Sequence, residues 1–221
     1  MVSAHPGTPG ASSTPVEAWA ALRAGNDRFV RGEPARPSQD AGRRRELEAG
    51  QHPHTAVLGC SDSRVAPEIV FDQGLGDVFV VRTAGHVVEP TVLGSIEYAT
   101  DVLGASLVVV LGHGSCGAVA AAAHTLATGE QPPGFIRDVV SRVIPSVTSV
   151  TDGGGGPTAI DPDALRIAHV RHSVELLGGY SAALRAAVDE GRVAITGAEY
   201  DLASGGVRLV HVLGDVGEPP E

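Results

Sequence analysis

The sequence predicts an α/β protein: a mostly parallel central sheet of four parallel strands plus an antiparallel edge strand, flanked by helices. Three observations predict it. Short apolar runs at 55–60, 77–82 and 106–111 alternate with segments of helical spacing, the pattern of parallel strands joined by crossover helices. A run at 192–200 meets another at 207–212 through Gly205-Gly206, which reads as an antiparallel return. The 221 residues suit one domain with a core large enough to need no disulfide staples.

The elements follow in order. Residues 1–14, rich in Pro, Ser, Thr and Gly, read as a disordered tail, leaving 15–221 as the single domain. The tail has no basic start or apolar stretch, so it is not a signal peptide. Thr14-Pro15-Val16-Glu17 has capping-box spacing with Pro at the first helical position, and Gly32 can stop the helix, predicting a helix over about 15–31. Val16, Trp19, Leu22, Phe29 and Val30 form its apolar stripe, interrupted by Asn26, and the stripe by itself reads as burial on its own domain. A short solvated helix carrying Arg43, Arg44 and Arg45 is predicted near 40–49. Pro67 and Gly74 bracket another short helix, and Pro90 opens one with Val92, Ile96, Ala99 and Leu103 in helical register. An Ala-rich helix over 118–127 stops at Gly129, and 135–150 reads as helical with a break at Pro145. Four consecutive Gly at 153–156 make a flexible connection, and helices follow over 161–177 and 181–190.

The chemistry concentrates at two strand ends. After the first strand comes Cys60-Ser61-Asp62-Ser63-Arg64, where strand alternation would put Cys60, Asp62 and Arg64 on one face. After the third comes Gly112-His113-Gly114-Ser115-Cys116-Gly117, where His113 and Cys116 share a face if a helix opens there. Taken singly, each Cys reads as a small buried hydrophobe. Together, two thiolates and one imidazole match the tetrahedral preference of zinc, and three protein ligands leave the open position of a catalytic site. Asp62 can then hold the proton of a zinc-bound hydroxide so that a lone pair faces the substrate, with Arg64 keeping the carboxylate ionised.

Composition excludes other classes. The net charge is −10 and no basic run exceeds three residues, which argues against nucleic acid. The absence of Lys excludes Schiff-base and P-loop chemistry. No apolar run approaches the roughly 20 residues of a membrane span. Two reduced thiols fit the cytoplasm. Gly112, Gly114 and Gly117 also spell the dinucleotide fingerprint, but the acidic residue expected about 20 positions later falls in the turn 129–134. Of the nine His, only His113 has ligand context; His52 and His54 read either as rim proton relays or as solvated loop residues.

Cys60-Ser-Asp-Ser-Arg64 with His113-x-x-Cys116, the two Cys 56 positions apart, closely resembles the β-class carbonic anhydrases, and the resemblance runs through Arg82-Thr83-Ala84-Gly85-His86 to Tyr200. It implies one Zn2+ per subunit on Cys60, His113 and Cys116, an Asp62–Arg64 dyad, and reversible hydration of carbon dioxide to bicarbonate. It also implies a homodimer, or a dimer of dimers, with the N-terminal helices packing on a partner subunit. Gln51 matches a family position whose amide contacts the zinc-bound anion across that interface, and Gly117 matches one beside the substrate pocket. Family members inhibited by bicarbonate have a Trp where this chain has Val57, with an Arg and a Tyr at the positions of Arg82 and Tyr200. Carbon disulfide hydrolysis and noncatalytic zinc or bicarbonate sensing are the alternative readings of the same ligands. Because two thiolates cancel the charge of the ion, activity is expected to rise on the alkaline side of neutrality.

Overall fold

The computed structural model describes residues 13–146 and 161–221. Five strands, β1 (Thr55–Cys60), β2 (Val78–Thr83), β3 (Leu107–His113), β4 (Ala194–Tyr200) and β5 (Val207–Leu213), form one sheet in the order β2-β1-β3-β4-β5. The first four are parallel and β5 is antiparallel to β4, as the sequence predicts. The described helices are α1 (Pro15–Val30), α2 (Ala41–Glu46), α3 (Pro67–Val70), α4 (Pro90–Glu97), α5 (Gly117–Thr128), α6 (Ile136–Val143), α7 (Pro162–Tyr180) and α8 (Ala182–Asp189). The Gly run at 153–156 and residues 1–12 of the predicted tail lie outside the described residues.

Side-chain alternation divides the core between the two sheet faces. Ala56, Leu58, Val108, Val110 and Ile195 pack beneath α4, α7 and α8. Val57, Val109, Leu111 and Ala198 meet α1 and the segment around Phe71 on the other face. With layers on both sides, every residue of β1, β3 and β4 is buried, which is why these strands read as apolar runs.

The capping box at Thr14 and Glu17 forms as predicted. Trp19 and Leu22 are buried against the chain's own sheet, and the Trp19 indole donates to Glu218 at 2.6 Å. The middle of the stripe thus closes on its own domain, while Val16 and Val30 at its ends stay exposed, and α2 has no buried residue. Asn26, the polar break in the stripe, is a clamp: its amide donates to the carbonyls of Val70 and Gly205 and accepts from the Val207 N–H.

Two boundaries differ from expectation. β3 continues past Leu111 because Gly112 and His113 pair with Glu199 and Tyr200 of β4. α7 continues past Leu177 because Gly178 is a packing residue, where a Cβ would come within 2.8 Å of Leu213. α6 ends at Val143 and helical backbone resumes at Pro145, the break that the sequence predicts there, and residues 147–150 lie outside the described ones.

Candidate metal centre

β1 is followed by β2 on one side of it and β3 on the other, so the chain changes direction between β1 and β3. A crevice opens at such a switch point, outside the carboxyl ends of the two strands. Cys60 ends β1 and His113 ends β3. Cys116 is the N-cap of α5. Ser115, at φ 53°, turns the backbone sharply between the strand and the helix. His113 and Cys116 therefore meet through this turn and not along a helix face. Likewise, Asp62 and Arg64 lie in a turn beyond β1, so their approach to Cys60 does not come from strand alternation.

The Cys60 and Cys116 sulfurs and a ring nitrogen of His113 lie within 4.8 Å of one another, all three residues are buried, and neither Cys is in a disulfide. His113 Nδ1 is 2.8 Å from the Gly114 carbonyl, which can only accept, so Nδ1 carries a proton. His113 Nε2 is buried without a hydrogen-bond partner. A buried ring nitrogen left without a partner beside two sulfurs is what a soft metal ligand set requires.

The three groups perturb one another's protonation. The Cys116 thiol, with help from His113 and the N–H groups of Asp62 and Gly85, holds Cys60 below its ordinary value against burial. Cys116 is pushed up by the Cys60 sulfur beside it and by burial. Burial opposes charge on His113, but the Cys60 sulfur and the Gly114 carbonyl outweigh it and raise it. A divalent cation would displace these protons.

Asp62 is 18% exposed at its side chain and is held by the half-exposed Arg64. The guanidinium keeps the carboxyl well below the usual carboxylate range. Arg64 also reaches the Ser115 carbonyl at 3.3 Å, tying the two turns together. Arg82 of β2 donates to the carbonyls of Cys60, Asp62 and Val65 at 2.8, 2.6 and 3.0 Å, so its guanidinium sets the shape of the loop. Val57, at the position of the Trp of bicarbonate-inhibited relatives, is fully buried in the core.

Gly117 opens α5 with nothing within 4 Å of where a Cβ would stand, leaving clear space beside Cys116. Gly112 has another purpose: a Cβ there would come within 2.4 Å of Val170, so it admits α7 to the sheet. That packing accounts for the first glycine of the apparent nucleotide fingerprint. Gln51 is exposed ahead of the amino end of β1, and six strand residues put that end about 16 Å from Cys60. His52 and His54 lie at the same far end, and the His54 ring meets Thr55 Oγ1 at 2.8 Å and Gln73 Oε1 at 3.1 Å.

Sequence reasoning missed the support behind Cys60. Its sulfur accepts the N–H of Asp62 at 3.4 Å and of Gly85 at 3.3 Å. His169, one of the His without ligand context in the sequence, reaches the carbonyl of that same Gly85 at 2.7 Å. A glycine in a short turn after β2 was the available signal.

Fold and site together define a class: an α/β protein with a Cys2His candidate metal centre at the switch point of its sheet. Residues 55–207 match the family described as Carbonic anhydrase. The chain is 51% identical over 207 residues to carbonic anhydrase of Mycolicibacterium smegmatis, covering 94% of this chain and 98% of that protein. It is 49% identical over 207 residues to carbonic anhydrase 2 of Mycobacterium tuberculosis, with the same coverage. Among solved structures, a tetrameric β-carbonic anhydrase from Sordaria macrospora superposes with a TM-score of 0.64 at 24% identity, covering 76% of this chain and 85% of that one. The chain belongs to the β-class carbonic anhydrase family. No described helix is long and apolar enough to cross a membrane.

Proposed function

We propose that this chain catalyses the reversible hydration of carbon dioxide to bicarbonate and a proton, with one zinc ion per subunit held by Cys60, His113 and Cys116. The observation that carries the reading is the buried Cys2His cluster with His113 Nε2 unpartnered. Zinc, when bound, supplies the Lewis acidity that makes water a nucleophile near neutral pH.

The chain's own residues do the rest. A carboxylate offers about four acceptor directions, and Arg64 takes two on Oδ1 and one on Oδ2. The remaining direction on Oδ2 accepts a proton of the attacking water and turns its lone pair toward carbon dioxide. Arg64 holds that carboxylate ionised and still. The space beside Gly117 admits the substrate. Gln51 belongs to the site of the other subunit in a homodimer, since it cannot reach the site of its own. A dimer of dimers follows the tetrameric relative. Residues 15–221 act as one zinc domain. The free thiols of this reading suit a reducing compartment and support a cytoplasmic location.

Stopped-flow hydration of carbon dioxide on protein of measured zinc content tests the reading. Turnover is expected to scale with bound zinc and rise with pH. Fully loaded protein without turnover at any pH would refute it.

A further inference from the structure

We propose that His169 of α7 is a positioning residue for the metal centre, acting through the backbone of Gly85 to hold an N–H group on the Cys60 sulfur and so limit the charge that this sulfur gives to the metal. The proposal rests on the zinc reading above.

Of the two N–H groups that Cys60 Sγ accepts, that of Asp62 belongs to the ligand's own turn, whereas that of Gly85 arrives from the turn after β2. Gly85 adopts φ 64° and ψ 24°, a left-handed conformation, and a Cβ there would stand 2.7 Å from the Ala118 Cβ. Its carbonyl is 2.7 Å from His169 Nε2. A carbonyl only accepts, so Nε2 carries the proton. Nδ1 is then the acceptor for the Ser146 hydroxyl at 2.8 Å. Burial lowers His169 to about 4, so this neutral tautomer persists at working pH. The His86 ring packs against it with centroids 4.4 Å apart.

A continuous path thus runs from the Ser146 hydroxyl to His169, to the Gly85 carbonyl, and from the Gly85 N–H to the ligand sulfur. His169 is separated from the sulfur by one glycine residue. Hydrogen bonds to a ligand tune both its orientation and its donor strength. This matters more than usual here, because two thiolates already cancel the charge of a divalent ion. With an apolar side chain at 169, the buried Gly85 carbonyl loses its partner, and the turn relieves that cost by moving. The Gly85 N–H then leaves the sulfur.

The test compares wild type with His169→Phe, His169→Gln and Val174→Ala. Two quantities are read on folded protein: zinc affinity by competition with a chromophoric chelator, and the sulfur-to-metal charge-transfer band after cobalt substitution. His169→Phe should weaken zinc binding about 10- to 100-fold and move the band to lower energy. His169→Gln, whose amide can still donate to the carbonyl, should recover most of both. Val174→Ala empties core volume five residues along the same helix and should change neither. The proposal is overturned if His169→Phe matches wild type in both readings, or if Val174→Ala shifts them equally. Should His169→Phe fail to fold, wild type loaded with cadmium-113 decides: coupling between the metal and the Gly85 amide proton is expected, and its absence overturns the proposal. Failure of wild type to take up any metal would instead refute the zinc reading itself.

Discussion

Arg64 grips Asp62 at both carboxylate oxygens, Nε meeting Oδ1 at 2.9 Å and Nη2 meeting Oδ2 at 2.6 Å, while the Arg64 backbone N–H takes Oδ1 again at 2.9 Å. The pair is one rigid unit in which a single acceptor direction is left over. Asp62→Ala should therefore keep its zinc and lose activity about 100-fold or more, the cost of misorienting a reacting group. Cys116→Ser should lose the metal as well. Zinc content and hydration rate on the same samples check this, and zinc loss from Asp62→Ala would make Asp62 a ligand.

The same pair fixes a pH response. Arg64 lowers the folded-state pKa of Asp62, so its contribution to stability is present above the unfolded carboxylate value and fades as pH falls through the lowered one. In Arg64→Leu the carboxyl should titrate near the ordinary value of about 4. Carbon NMR of the Asp62 carboxyl should stay flat in wild type over that range and titrate in the variant. Identical curves would contradict the coupling.

Removing the metal should lower the melting temperature and make it depend on added zinc. Free zinc at 100 times its dissociation constant stabilises a folded site by about 2.7 kcal/mol. Thermal unfolding at graded zinc concentrations reads this directly. A midpoint indifferent to zinc would mean that the cluster does not bind it.

Gly112→Ala should cost about 1–3 kcal/mol by pressing a methyl into Val170, and Val170→Ala should relieve part of it. Chemical denaturation of the single and double variants measures the relief. Calorimetric titration with NAD should show no binding to any of them, since this glycine admits a helix and not a phosphate.

Gln51 and Cys60 stand at opposite ends of β1, which gives a test of shared sites. If each site takes its Gln51 from the other subunit, Gln51→Ala and Cys60→Ser chains should be weak or inactive alone. Mixed through dissociation and reassembly, they should regain activity, because each heterodimer then has one complete site. No recovery on mixing would leave Gln51 outside the chemistry.

The sheet and its ligands were legible because their determinants are local. Apolar runs covered on both faces announce β1, β3 and β4, and Cys60, His113 and Cys116 sit where those runs stop. What escaped depends on contacts distant in sequence. Gly112 looks like a strand terminator until Val170 arrives from α7, and Asn26 looks like a flaw in α1 until the Val70, Gly205 and Val207 backbones close on it. Glycine and asparagine carry little periodicity information, so tertiary packing decides their meaning. The geometry that joins His113 to Cys116 was read as a helix face because i and i+3 spacing suits one; the strand took His113 by pairing it with Tyr200.

β2 is an edge strand of the sheet, and its Arg82 supplies three of the hydrogen bonds that suspend the loop from Cys60 to Val65. The chemical centre of the molecule is in this sense anchored at its perimeter. Fraying of that one margin would release all three tethers together, and anything that stiffens it tightens the reacting loop through the length of a single side chain.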